Sequence, residues 1–361
     1  MTEDAGHITL TDEQKEAMRL IWKEFLPGKE DYFNIHGFAG TGKTVLLSHL
    51  ARALPHAILV APTGKAADVL RRKTNLPAST IHSVFYQLTR AEKMKDGTDK
   101  LEFALAHGHD IFGGTIALID ESSMVNQQIA NDLLRIGVRM ISSGDPGQLP
   151  PVQGEAFFNT PHFTLKKIHR QALDSPIIRQ AHSVRLGKGY APDGDAFQVK
   201  SNVTADDIMQ ADAILCWKND TRMVLNASIR RKRGVKEQFP QPGEPVVCLK
   251  NAPDYSVYNG GVYKLLREFK EGDADIYVQV DDTEVKIRDV TFEGIRNAVS
   301  PGVDVVTRFT LGYALTVHKS QGSEWPNVIL IDEYTKTEDR WRWLYTGITR
   351  AAQKIIVRRL G

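Results

Sequence analysis

The sequence predicts an α/β protein of two parallel-sheet domains, each carrying a small β insert. Three observations predict it. Residues 32–36 read as a short buried strand, Gly37-Phe38-Ala39-Gly40-Thr41-Gly42-Lys43-Thr44 follows at once, and Leu46, Leu47, Leu50 and Leu54 then recur at helical spacing. Short apolar runs alternate with helical stretches through both halves of the chain, as in a parallel sheet covered by helices. The alternation breaks twice, over 87–114 and 240–304, where β signals cluster instead.

Taken in order, residues 11–25 read as a helix with Thr11 as N-cap and Gln14 as its capping-box partner. After the glycine loop and its helix, 57–61 is an apolar strand and 64–73 a basic helix. Within 87–114, Asp96-Gly97 marks a hairpin turn. Strand, helix and strand then follow at 116–119, 127–136 and 138–142. A second α/β unit begins near Leu165, with a strand at 213–216 and a basic helix at 221–233. Short strands at 246–249, 262–266, 276–280 and 285–287 read as a small barrel inserted into it. Helix at 313–321, strand at 328–331, helix at 340–349 and strand at 355–358 complete the chain. The expected domains are 1–160 and 161–361, since 361 residues exceed one average core.

Composition narrows the function classes. The hydrophobic fraction of 42% and charged fraction of 25% are those of a soluble globular protein. A net charge of +2 implies that any nucleic-acid site is a local groove, not a basic tail. Cys216 and Cys248 are the only cysteines, which predicts neither a disulfide framework nor a zinc site and fits a reducing cytoplasm. No apolar run reaches membrane-spanning length, and no leader pattern opens the chain.

The chemistry centres on residues 37–44. Glycines let backbone N–H groups converge on phosphate oxygens, and a helix N-terminus adds partial positive charge. Gly37, Ala39, Gly40, Thr41 and Gly42 would cradle the phosphates of ATP, Lys43 would reach the β- and γ-phosphates, and Thr44 would hold Mg²⁺. The strand 116–119 ends in Asp120 and Glu121. Asp120 reads as the second Mg²⁺ residue and Glu121 as the base for the attacking water. Gln148 follows the next strand, at the edge where α/β sheets bind ligands, and could meet the γ-phosphate or the water. Phe85 and Trp217 are aromatic residues able to stack on bases, with a place in the core as the alternative that an apolar ring favours. Phe103, near the base of the 96–97 hairpin, could stack on a terminal base pair; the insert then reads as a strand-separating pin, with a surface loop as the alternative.

The order of motifs resembles superfamily 1B helicases, the RecD-like and Dda-like enzymes of phage type. VAPTGKAA (60–67), STIHS (79–83), IDESSM (119–124), GDPGQLPPV (144–152), HRQ (169–171), LTVHKSQGSEW (315–325) and YTGITRA (345–351) carry the resemblance beside the phosphate loop, over nearly the whole chain. It implies two RecA-like motor domains with an SH3-like barrel in the second. It implies Gln14 as an adenine reader, Arg170 and Arg350 as arginines on the nucleotide, and Gly322 and Glu324 beside the ribose. It implies strand contacts from Pro62, Thr63, Lys65, His82, Ser83, Thr316, His318 and Lys319. The activity implied is ATP-dependent 5′-to-3′ translocation on single-stranded DNA with duplex unwinding. The implied setting is a monomer in a bacterial or phage-infected cytoplasm, acting at single-strand/duplex junctions beside replication or single-strand-binding proteins. Two other readings stay open: a DNA-stimulated translocase that does not separate strands, and a small-molecule phosphotransferase using the same loop.

Overall fold

The computed structural model describes residues 10–93, 99–105, 114–151, 154–169, 172, 174–250, 252, 255, 257–258, 260–270, 272–280, 283–293 and 307–359, with 88–104 described by their strands alone. The chain divides into two compact units. Unit one comprises Met1–Pro62, Ala66–Phe85 and Leu105–Ile178; unit two comprises Thr63–Lys65, Tyr86–Ala104 and Arg179–Gly361.

Unit one starts with α1 (Asp12–Leu20), which runs into a π-helical turn at Ile21–Phe25. Thr11 caps it: its hydroxyl accepts from the Gln14 N–H, and Gln14 Oε1 accepts from the Thr11 N–H at 2.8 Å. The elements that follow are β1 (Tyr32–Gly37), α2 (Lys43–Ala53), β2 (Ala57–Ala61), α3 (Gly64–Thr74), β3 (Ala78–Thr80) and α4 (Ile81–Phe85). β4 (Tyr86–Lys93) and β5 (Asp99–Leu105) come next in the chain but, up to Ala104, group with unit two; they pair with each other in a separate two-stranded sheet. The turn expected at Asp96-Gly97 lies outside the described residues. β6 (Ile116–Ile119), α5 (Gln127–Arg135), β7 (Arg139–Gly144) and β8 (Phe163–Leu165) complete the unit.

The sheet order is β3-β2-β6-β7-β1-β8, and the recorded pairings are parallel. Helices must therefore cross its faces, and the apolar residues of α1 and α2 are those that cover it. Ala17, Ile21 and Phe25 join Leu46, Leu47 and Leu50 over Phe33, Ile35, Leu118 and Ile141 in one buried cluster. Arg139 lies over the Phe25 ring at 4.2 Å and donates to the Leu26 carbonyl at 3.0 Å, which fixes the end of the first helix to the sheet. The expected boundary at 160 moves. β8 pairs with β1 through Ile35, His36 and Gly37, so the first sheet extends past Leu165. Three residues are too few to show a period, which is why the sequence does not reveal β8.

Unit two holds α6 (Pro176–Arg185), β9 (Phe197–Lys200), α7 (Ala205–Gln210), β10 (Ala213–Cys216) and α8 (Asn219–Lys232). Next come β11 (Pro245–Cys248), β12 (Val262–Leu265), β13 (Ile276–Val280), β14 (Thr283–Ile287), β15 (Val290–Phe292) and β16 (Thr307–Leu311). β17 (Ala314–Thr316), β18 (Trp325–Asp332), α9 (Arg340–Ile348) and β19 (Ala351–Arg359) close it. A parallel sheet of order β17-β10-β18-β19-β9 forms its α/β part. A second sheet, β14-β13-β12-β11-β16-β15, is antiparallel except at β15–β16 and surrounds its own core, including Val246, Phe269, Val278 and Phe309. Arg230 of α8 bonds Glu244 at 2.7 Å, ahead of β11, and the pair is buried; Tyr313 O–H donates to the same carboxylate at 3.2 Å.

The helix expected over 313–321 does not form. Ala314–Thr316 is a strand paired to Ile214, Leu215 and Cys216, and only His318–Ser320 turns, as a 3₁₀ helix. Thr316 and Val317 are β-branched, and a buried run this short carries no period that separates helix from strand. No helix among the described residues is long and apolar enough to cross a membrane.

Candidate functional site

Strand β1, the glycine loop and helix α2 stand in the order the sequence requires. Gly40 and Gly42 adopt φ of +82° and +79°, the left-handed region that only glycine enters without strain. Space demands them too. A Cβ on Gly40 would lie 2.7 Å from Ala172 Cβ, and one on Gly42 would lie 2.5 Å from Gln14 Nε2 and 2.6 Å from His169 Nε2. The loop is thus enclosed by α1 on one side and by the segment after β8 on the other.

Both neighbours are anchored. Gln14 is fully buried and its Nε2 donates to the Gly42 carbonyl at 3.0 Å. The capping box therefore does two things: it starts α1 and aims Gln14 at the loop. Glu13 accepts from the Lys166 and Lys167 N–H groups at 3.0 and 2.8 Å, and the His169 N–H donates to the Gly40 carbonyl at 3.0 Å. Glu13 and His169 escaped the sequence reading. Glu13 looks like any acidic first-turn residue; His169 could have been found from its place beside Arg170 in the HRQ motif. Arg170 itself lies outside the described residues.

Lys43 Nζ donates to the Gly37 and Phe38 carbonyls at 2.7 and 3.2 Å and sits 4.0 Å from the buried Asp145 carboxylate. Thr44 Oγ1 donates to Asp120 Oδ2 at 3.2 Å. Asp120 directly follows β6, next to β7, so the parallel sheet delivers its carboxylate to the start of α2. Burial pushes the Asp120 carboxyl up from its ordinary range; the Lys43 charge, the Glu121 N–H and the Thr44 hydroxyl pull the other way. Hard oxygen donors that include a buried carboxylate suit Mg²⁺, whose charge would favour the ionised form. Glu121 has φ of +53°, a conformation that costs a non-glycine residue about 1–2 kcal/mol. Gln148 is buried on the turn that Asp145 starts, and its Oε1 has no hydrogen-bond partner among the described residues.

The residues expected to touch a strand separate into different environments. Pro62, Thr63 and Lys65 fall between β2 and the first turn of α3. His82 and Ser83 start α4, where the Thr80 hydroxyl accepts from the Ser83 N–H at 3.0 Å. Burial lowers the His82 pKa. Phe85 is a correction: it is fully buried in the core, so its ring is not placed to stack on a base. The Phe103 side chain lies outside the described residues. In unit two, Thr316 ends β17 and accepts from the Lys319 N–H at 3.4 Å. Burial lowers the pKa of both His318 and Lys319; Arg222 adds to the effect at Lys319 and Glu293 opposes it. Trp217 packs on Tyr334, with ring centroids 4.6 Å apart, and is not fully exposed.

Arg350 is 5% exposed and donates to the Thr346 and Ser323 carbonyls at 3.0 and 3.1 Å. Gly322, with φ of +73°, and the exposed Glu324 flank that same Ser323.

Residues 9–205, more than half of the chain, match the family model described as an AAA domain. The chain belongs to the AAA-domain family. Downstream of the AAA domain, residues 311–357 match a UvrD-like helicase C-terminal domain. The chain is 29% identical over 355 residues to the ATP-dependent RecD2 DNA helicase of Deinococcus radiodurans, covering 88% of this chain and 45% of that one. It is 32% identical over 259 residues to the ATP-dependent DNA helicase dda of Enterobacteria phage T4, covering 62% and 57%. The chain thus spans about half the length of these curated relatives. A crystal structure of Bacteroides Pif1 bound to ssDNA shares its fold, with a TM-score of 0.66 at 21% identity, covering 98% of this chain and 93% of that one. These matches are consistent with superfamily 1B; the AAA-domain match takes in the whole first parallel sheet and runs on into unit two, past β9.

Proposed function

We propose that this chain is an ATP-hydrolysing motor that moves 5′-to-3′ along single-stranded DNA and separates duplex ahead of it. One observation carries the reading most strongly. Lys43, the Thr44–Asp120 pair and Gln14 converge on one glycine loop, within a chain whose relatives are named ATP-dependent DNA helicases. Lys43 exchanges its loop carbonyls for the β- and γ-phosphates. Thr44 and Asp120 would hold Mg²⁺, which would neutralise charge on the phosphates. Glu121 orients the attacking water and takes its proton, and Gln148 supplies an acceptor or donor beside it. Arg350 and Arg170 stabilise charge on the departing phosphoryl group.

The parallel sheet of unit two serves as the second motor domain, with its six-stranded, mostly antiparallel sheet as an SH3-like insert. The β4–β5 pair acts as the strand-separating pin. Nothing in the described residues favours a phosphotransferase with its own acceptor pocket at the loop, and the relatives' names weigh against that alternative.

Strand displacement on 5′-tailed and 3′-tailed duplexes tests the proposal. The 5′-tailed duplex is unwound with ATP and the 3′-tailed one is not. ATP hydrolysis without displacement of either would leave a translocase.

A further inference from the structure

The parallel sheet of unit two has a second feature at its carboxyl edge. The connections out of β10 and β18 run in opposite directions along the sheet, β10 to β17 and β18 to β19. Ligands of open α/β sheets bind outside the strand ends at such a reversal. Next to it lies a cleft of about 700 Å³, lined in part by Lys188, Tyr190, Asp332, Arg340 and Arg359.

The cleft is built, not incidental. Asp332 ends β18 with its side chain 2% exposed, and its Oδ2 accepts from Tyr190 O–H at 2.6 Å and from Arg340 Nη2 at 2.7 Å. Arg340 also donates to the Tyr334 carbonyl at 2.5 Å. Its guanidinium is held fast while the side chain stays 40% exposed. Arg359 lies over the Tyr190 ring at 4.9 Å. Burial and the Asp332 carboxylate push the Tyr190 phenol up to about 12, so it stays a donor. Glu333 also lines the cleft, but its carboxylate is committed to the Trp217 and Lys218 N–H groups and to Thr221. Three cations thus face one carboxylate already engaged on one oxygen. The other oxygen, Asp332 Oδ1, is buried with no hydrogen-bond partner among the described residues.

We infer that this cleft binds one nucleotide unit of a single strand, its phosphate on Arg340, Arg359 and Lys188 and a base N–H on Asp332 Oδ1. A bare anion would use the cations but not the spare acceptor; a nucleotide uses both. The inference rests on the proposed action on single-stranded DNA. It adds a phosphate contact from unit two that none of the motif residues supplies. Arginines held in a fixed orientation suit phosphate, and such contacts set register without reading sequence.

The test is the salt dependence of binding to a labelled oligothymidylate, for the intact chain and for the double variant Lys188→Gln with Arg359→Gln. Both side chains lie on exposed residues, and thermal melting checks the fold. Each phosphate contact on a single strand contributes a slope of about 0.7 in log K against log salt. The cleft neutralises one phosphate, so removing two of its three cations lowers the slope by up to about 0.7 and the affinity by up to roughly 5-fold at about 0.1 M salt. An unchanged slope and affinity in the variant overturns the site while leaving strand binding intact. A loss seen for thymidine monophosphate but not for the oligomer overturns the strand assignment in favour of a free nucleotide. No binding by the unaltered chain overturns both this inference and the function it rests on.

Discussion

Replacing Gly42 with alanine should disable the nucleotide site while sparing the fold. Gly42 has φ of +79°, so any Cβ costs about 1–2 kcal/mol in backbone strain. The new methyl would also lie 2.5 Å from Gln14 Nε2 and 2.6 Å from His169 Nε2, distances real Cβ contacts do not show. Either those side chains retreat or the loop rotates. Retreat of Gln14 breaks its bond to the Gly42 carbonyl, about 1 kcal/mol. The sum is about 2–3 kcal/mol, below the roughly 5–15 kcal/mol that holds a typical domain. The protein should therefore fold with a lowered melting temperature, and ATP affinity and turnover should fall together because the loop N–H groups no longer converge. Equilibrium binding of a fluorescent ATP analogue, steady-state turnover and thermal melting measure the three terms. The double variant Gln14→Ala, Gly42→Ala should be no more stable than Gly42→Ala and regain none of the turnover, since the φ strain and the His169 clash remain and the Thr11 N–H loses its capping-box acceptor. Wild-type turnover in Gly42→Ala would refute the claim that this glycine's geometry shapes the site.

Glu121→Gln should bind ATP normally yet hydrolyse it about 10²- to 10⁴-fold more slowly, measured by separate affinity and turnover assays, because the base is lost while Thr44 and Asp120 stay. Arg350→Ala should slow turnover by about 10³ to 10⁵ if it reaches the phosphoryl group; it should also lower the melting temperature, since the Ser323 and Thr346 carbonyls lose a buried donor. Glu244→Gln should cost about 3–5 kcal/mol in denaturant unfolding, because it leaves the Arg230 charge buried and poorly paired. On acidification, stability should fall below about pH 6.5: His36, His82 and His318 all have folded pKa values lowered by burial, so the unfolded chain takes up protons first. Melting temperatures that do not drop between pH 8 and about pH 5 would contradict that sign.

How much of this was legible follows from what each signal is made of. The phosphate loop and Asp120 were readable because their chemistry needs fixed residue types at fixed spacing. Gln14 was readable twice, as a capping-box partner and from the resemblance, and the structure joins the two through Gly42. The strand at Ala314–Thr316 was misread because a short buried run has no period, and β8 was missed for the same reason. Phe85 was offered as a stacking platform, but a lone aromatic gives no sign of which way it faces; here it faces the core. The Glu13 bonds to Lys166 and Lys167 span more than a hundred residues and depend on the sheet bringing β8 beside β1, which no local pattern records.

The most direct test of the central claim is ATP turnover with and without single-stranded DNA, in the intact chain and in Lys43→Ala. The account predicts turnover that rises strongly on adding the strand, and none in the folded lysine variant under either condition. Turnover indifferent to DNA, or persisting without Lys43, would contradict it.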